Sequence, residues 1–342
     1  MKAEIKPRIE LQGRTRLEEV IPLATPFMIF LDPSSACNFQ CRFCPTGNRE
    51  LIRRTGRFQG LLDYDLCRKI VDDLGQFDKK IKVLRMYKDG EPLLNPKFPE
   101  MVAYAKQSGH AERVDTTTNA ALLNPELNLR LVGAGLDRLN VSIAGITDEK
   151  YLEFCGSKIE LKKIAANLRH FYQHRGSCEV VVKTIAENIR ESEHRKFYEM
   201  FGDIADRIFI EHMAPCWPEF DYSGLNADFS VGIYGNEVSE TKACPYVFYS
   251  ISVNSDGTVS ACFLDWERRL IVGDARRQSL REIWEGEAMR KMRIMMLEFR
   301  RDAHPVCRNC GQLTNCRPDN IDAYAETLLG KIKKRNDGGL NL

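Results

Sequence analysis

Short apolar runs alternate along this chain with longer segments whose apolar residues recur at helical spacing. Phe27 to Leu31 is a continuous apolar run of the kind a strand buried on both faces shows. Residues 63–76 follow, with Leu66, Ile70 and Leu74 near helical spacing. The alternation repeats: strands are expected over 81–87, 113–118, 137–143, 179–185 and 207–213, and helices over 96–108, 125–133, 160–174 and 191–200. Asn124 is placed to cap the helix that Pro125 opens. Counting Phe27 to Leu31, six strand–helix units imply an α/β fold with a parallel sheet and right-handed crossovers. That is short of the eight strands of a closed barrel.

The flanking regions read differently. Residues 1–26 are polar, contain Pro7, Pro22 and Pro26, and are expected to form an extension packed over the core. The barrel region is then 27–215. Pro218, Gly224, Gly232 and Gly235 break up a linker over 216–240. Residues 249–262 alternate on both sides of Asp256-Gly257, which predicts a β-hairpin inside a small α+β region over 241–320. One helix is expected from Ser279 to about Phe299 and another from Ile321 to Ile332, with Lys333 to Leu342 disordered.

Composition narrows the function classes. Apolar residues make up 43% and the net charge is +2, enough for a core and too little for a dedicated nucleic-acid surface. The N-terminus carries no apolar h-region, and no segment offers the roughly 20 apolar residues of a membrane span. A cytoplasmic protein is expected. Without a secretion signal, 12 cysteines point to metal or redox chemistry rather than a disulfide scaffold.

Three of those cysteines, Cys37, Cys41 and Cys44, lie in one loop just after the first strand. Sites in α/β barrels gather at the C-terminal ends of strands, so this loop delivers its thiols to the barrel mouth. A cluster used only for electron transfer takes four thiolates, and no fourth cysteine is near before Cys67. Zinc would need a fourth Cys or His at short range, but the first histidine is His110. A redox Cys41–Cys44 pair leaves Cys37 unexplained. A second group is dispersed: Cys244, Cys262, Cys307, Cys310 and Cys316. Alone, it reads equally as a zinc ribbon.

The spacing C-x3-C-x2-C, with Phe43 before the last cysteine, resembles the signature of the radical S-adenosylmethionine (SAM) superfamily, whose fold is a partial (β/α)6 barrel. The resemblance implies a [4Fe–4S] cluster on Cys37, Cys41 and Cys44, SAM on its open iron, and a 5′-deoxyadenosyl radical that abstracts hydrogen. Gly90, Glu91 and Pro92 resemble the family's Gly-Glu-Pro motif for the SAM amino group, and glycine there lets backbone approach a ligand. Thr118, Asn119 and Ser142 match its polar strand ends. Lys183 either snorkels outward, meets a carboxylate or, as in the family, holds the SAM carboxylate.

The second cysteine group resembles SPASM and twitch domains. It implies one auxiliary [4Fe–4S] cluster on Cys244, Cys262, Cys307 and Cys310, with Cys316 a spare or alternative ligand. Cys67, Cys155 and Cys178 read as ordinary buried residues. Cys216, at the rim after the last barrel strand, could donate a hydrogen atom. Glu211 or His212, pointing opposite ways along that strand, could accept a proton. The resemblance implies oxidation of a secondary alcohol, or epimerisation, on a sugar or aminocyclitol-like small molecule, with a flavodoxin- or ferredoxin-like electron donor. Maturation of a ribosomal peptide is the alternative reading, and a zinc-binding interaction module the non-enzymatic one.

Overall fold

The computed structural model describes residues 1–337 except 11, 219, 317 and 318. Its ten strands, β1 (Glu4–Ile5), β2 (Met28–Leu31), β3 (Ile81–Arg85), β4 (Ala111–Thr118), β5 (Arg138–Ser142), β6 (Glu179–Ile185), β7 (Arg207–Glu211), β8 (Ser250–Val253), β9 (Thr258–Ser260) and β10 (Ile271–Asp274), form one sheet. The order is β1-β7-β6-β5-β4-β3-β2-β8-β9-β10. From β2 to β7 every pairing is parallel, in chain order. This is the expected α/β architecture of a partial barrel.

The two sheet faces differ chemically. Ile29, Leu84, Val114, Leu139, Val182 and Ile208 are fully buried with Ile70, Val102, Leu131, Leu168 and Phe197 of the covering helices. On the opposite face ionised side chains pair across neighbouring strands: Arg85 with Asp115, Arg138 and Arg207 with Glu179, and Lys183 with Glu211. The barrel interior is therefore polar, and apolar periodicity reports only the outer face.

The flanks join this sheet. Glu4 and Ile5 pair parallel with Arg207 and Ile208, so the N-terminal extension adds a strand as well as covering the core. The hairpin β8–β9 forms as expected, and β8 lies parallel to β2, carrying the sheet into the C-terminal region. The expected helix Ser279 to Phe299 is two helices, Leu280–Glu285 and Glu287–Leu297. Gly286 between them is extended (ψ 160°), ending the first, which Ser279 and Glu282 open with a reciprocal capping box.

Two helices escape the apolar pattern because each is short and buries few side chains: Arg49–Thr55, capped by Asn48, and Asp148–Cys155, capped by Thr147. The last helix is Ala325–Asp337, so residues 333–337 of the expected disordered tail are helical, while 338–342 lie outside the described residues. Among the described residues no helix is long and apolar enough to cross a membrane.

Candidate functional site

The cysteine loop leaves β2 and is held by borrowed backbone groups. A helix end leaves carbonyls without intrahelical partners, and those of Asp148–Cys155 accept from the loop: Gln40 N–H donates to Cys155 O (2.8 Å) and Arg42 N–H to Phe154 O (2.9 Å). Cys155 is buried as expected, yet its sulfur lies 3.4 Å from Cys41 Sγ, a neighbour that sequence distance hid. Cys67 and Cys178 are simply buried.

Gly90 packs tightly on the cysteine loop: a Cβ there would stand 2.1 Å from Ala36 O and 2.4 Å from Ser34 O. Glu91 N–H donates to Ala36 O at 2.9 Å, locking this turn onto the cysteine loop. The Glu91 carboxylate accepts from Leu93 N (3.0 Å), Thr118 Oγ1 (2.7 Å) and Asn119 N (2.8 Å), and burial raises its pKa despite those bonds. These bonds brace Glu91 and Thr118 at the rim, with Pro92 buried beside them. Asn119 Nδ2 donates to Asn38 Oδ1 (2.8 Å), which brings it beside Cys37. Ser142 ends β5 directly opposite Lys183, and Phe43 is half-buried in the loop.

A second brace, absent from any sequence pattern, ties the loop to the C-terminal region. Arg57 donates to Asp89 Oδ2 at 3.2 Å and lies over the Trp266 ring, 4.4 Å from its centroid. Trp266 Nε1 donates to Thr46 Oγ1 (2.7 Å), which donates to Asp89 O (2.7 Å). Lys88 bridges Asp89 (2.9 Å) and Asp265 O (3.2 Å). Asp32, fully buried beside Asp89, has its carboxyl pushed up to about 6 by burial and then by that neighbouring charge.

The thiols fall into two neighbourhoods. Burial pushes Cys37 up to about 12 and raises Cys44, while Cys41 is raised first by its contact with Cys155. In the second, Cys244 feels Cys310 and Cys307, Cys262 feels Cys244 and Cys310, and Cys307 feels Cys262 and Cys310, all atop a dominant burial effect. Cys316 feels Cys216, Cys310 and Glu211 atop its own burial. Cys216 lies between the groups: burial pushes it up to about 12, with Cys310 next and Cys44 also contributing. Among the described residues no three Cys, His, Asp or Glu side chains converge as one metal ion requires. Tetrahedral zinc with bonds near 2.3 Å would draw its sulfurs to about 3.8 Å apart, whereas a four-iron cube is a wider object. Buried thiols close together, with few competing ligands, suit a cationic cluster that displaces their protons.

At the end of β7 the two acid–base candidates separate. Glu211 faces the interior, where Lys183 donates to it and Arg8 Nε lies 3.5 Å away. Burial would raise its pKa, but Lys183 and Arg8 outweigh burial and hold it below the usual range. Lys183 therefore meets a carboxylate. His212 turns the other way, its Nδ1 3.5 Å from Glu187 Oε1.

Comparison with known proteins agrees with this architecture. Residues 31–194 match the model of the radical SAM superfamily, and residues 244–311 match SPASM, an iron–sulfur cluster-binding domain. The chain belongs to the radical SAM superfamily and carries a C-terminal SPASM domain. A [4Fe–4S] cluster, SAM and auxiliary iron–sulfur are accordingly its cofactors. It is 25% identical over 86% of its length to the tungsten-containing aldehyde ferredoxin oxidoreductase cofactor-modifying protein of Pyrococcus furiosus, covering 91% of that protein. It is 24% identical over 88% of its length to the AdoMet-dependent heme synthase of Methanosarcina barkeri, covering 93% of it. Among solved structures it shares its fold with BtrN in complex with AdoMet and 2-DOIA (TM-score 0.55, 18% identity, 87% of this chain and 97% of that one). It also resembles anSMEcpe with bound AdoMet (TM-score 0.59, 14% identity, 91% and 98%).

Proposed function

We propose that this radical SAM enzyme oxidises a secondary alcohol, or epimerises a carbon, on a carbohydrate-like small molecule. In this reading Cys37, Cys41 and Cys44 hold the cluster that binds SAM, and Cys244, Cys262, Cys307 and Cys310 hold one auxiliary cluster. When bound and reduced, the first cluster supplies the electron that cleaves SAM to the hydrogen-abstracting 5′-deoxyadenosyl radical.

The protein's part is positional. Gly90 and Glu91 fix the cysteine loop against β4, the polar interior accommodates a hydroxylated ligand, and Asn119 and Ser142 offer polar groups at the rim to SAM. The observation that carries the oxidation reading is the second thiol neighbourhood, attached to the barrel through β8 beside β2. It gives an electron released from the substrate a destination. Fold likeness to BtrN supports the carbohydrate-like substrate, and an electron donor of the flavodoxin or ferredoxin kind would complete the cycle.

Anaerobic reconstitution followed by dithionite and SAM should yield 5′-deoxyadenosine, and ring-deuterated sugars or aminocyclitols should label it. No 5′-deoxyadenosine would refute the class of chemistry. Cys216→Ala separates the two reactions, since an epimerase that draws its hydrogen atom from Cys216 loses turnover and a dehydrogenase retains it.

A further inference from the structure

Two guanidiniums converge on one phenol in the barrel interior. Arg8 Nη1 and Arg85 Nη1 each donate to Tyr87 Oη at 2.9 Å. Two cationic donors on one oxygen favour its anion, which has a lone pair for each and one more to receive a proton. Arg8 comes from the N-terminal extension, where Arg138 holds its carbonyl at 2.9 Å, and Arg85 ends β3 just before Tyr87. The grip is thus built from separate parts of the chain.

The charges around Tyr87 do not balance. Arg8, Arg85 and Lys183 face Glu211 and Asp115, and Asp115 is shared with Arg113. The Nε atoms of Arg8, Arg85 and Arg113 are buried without a hydrogen-bond partner among the described residues, as are both Asp115 carboxylate oxygens and Glu211 Oε1, so four cations share two carboxylates with poor geometry. A buried cation short of counter-charge is costly, and an anion at Tyr87 would relieve two at once.

A run of ring contacts links Tyr87 to the segment that carries Cys262. Tyr87 meets Phe30 edge-on at 5.9 Å, Phe30 stacks on Phe263 at 4.6 Å, and Phe263 directly follows Cys262.

We propose that Tyr87, gripped between Arg8 and Arg85, is the catalytic base that takes the hydroxyl proton from the substrate. The inference rests on the alcohol-oxidation reading. Hydrogen abstraction by the adenosyl radical leaves a carbon radical beside the substrate hydroxyl. The O–H proton passes to Tyr87 as the C=O bond forms, and a cluster held by Cys244, Cys262, Cys307 and Cys310 would take the one remaining electron. Glu211 is the weaker candidate because a carboxylate held below its usual range by Lys183 and Arg8 is far less basic than a phenolate. Directions of titration agree with the geometry. Burial opposes ionisation of Tyr87, but Arg85 and Arg8 overcome both burial and Asp115 and lower its pKa. Across the site burial, with Glu211 adding, raises Tyr234. Environments that drive two titratable groups apart are how acid–base roles are assigned.

The first test needs no substrate. Anaerobic holoenzyme is titrated by ultraviolet tyrosinate absorbance, and the wild-type minus Tyr87→Phe difference should show one tyrosine ionising below the usual value of about 10. Arg85→Gln should move that transition upward, with melting curves and iron content reporting that each variant is folded. A difference appearing only at or above about 10 overturns the proposal. With a deuterated alcohol that labels 5′-deoxyadenosine, Tyr87→Phe should lower the ratio of ketone to labelled 5′-deoxyadenosine by about 100-fold or more. An unchanged ratio also overturns it. A wild-type enzyme that labels nothing refutes the alcohol reading, whereas the titration alone decides the state of Tyr87.

Discussion

Replacing Gly90 by alanine adds one methyl group at the tightest contact of the site. The new carbon would sit 2.1 Å from Ala36 O and 2.4 Å from Ser34 O, where ordinary heavy-atom contact is roughly 3.5 Å. Both oxygens are backbone, so no rotamer relieves the overlap, and either the Gly90 turn or the cysteine loop must retreat by about 1 Å. Backbone conformation is not the obstacle, since Gly90 is not among the glycines at positive φ. Overpacking of this kind costs about 1–3 kcal/mol. The chemical penalty should exceed the thermal one, because Ala36 immediately precedes Cys37 and a misplacement of about 1 Å costs about 100-fold in rate. Iron per chain after reconstitution and the initial rate of 5′-deoxyadenosine formation measure the two effects, with a melting curve as the control for folding. A Gly90→Ala enzyme with full iron and an undiminished rate would refute the claim that this contact sets the loop.

Three further outcomes follow from the charges and thiols. Asp32→Asn keeps an acceptor for the Asp89 N–H bond while removing a buried carboxyl pushed up to about 6. A raised folded pKa favours the native state fully below the unfolded value of about 3.9 and loses that contribution as pH rises through about 6. The variant should therefore gain roughly 2–3 kcal/mol on wild type between about pH 4 and pH 8 in denaturant unfolding, and a pH-independent difference would contradict this. Glu211→Gln strands Lys183 and Arg8 and should destabilise by about 3–5 kcal/mol at neutral pH. Because the folded pKa of Glu211 is lowered, that loss should shrink as pH falls below about 4, and an equal loss at both pH values would count against the pairing. Cys244→Ala should lose about four of about eight irons per chain while Cys316→Ala keeps them; the reverse result would reassign the auxiliary ligands.

The parallel strands were legible because their outer faces bury apolar runs against amphipathic helices, as Val180 and Val182 do on β6. The three-cysteine loop and the scattered second group were legible because thiols at such spacings have few other uses. The helix breaking at Gly286 and the short helices at 49–55 and 148–155 were not, because a capping box or a helix of only two turns leaves too weak a periodic signal.

What the sequence by itself determined is the alternation of the barrel strands and helices, the cofactor class and the residue types at the rim, since each depends on neighbours within a few positions. Only the tertiary structure decided what those residues touch. It set Gly90 against Ala36, put Cys155 against Cys41, bound Glu211 to Lys183 and Arg8, and set Tyr87 between Arg8 and Arg85. The reason is physical. Burial makes charge pairing and close packing strong over a few ångströms of space, and residues 8 and 87, or 41 and 155, become neighbours only when the sheet closes around them.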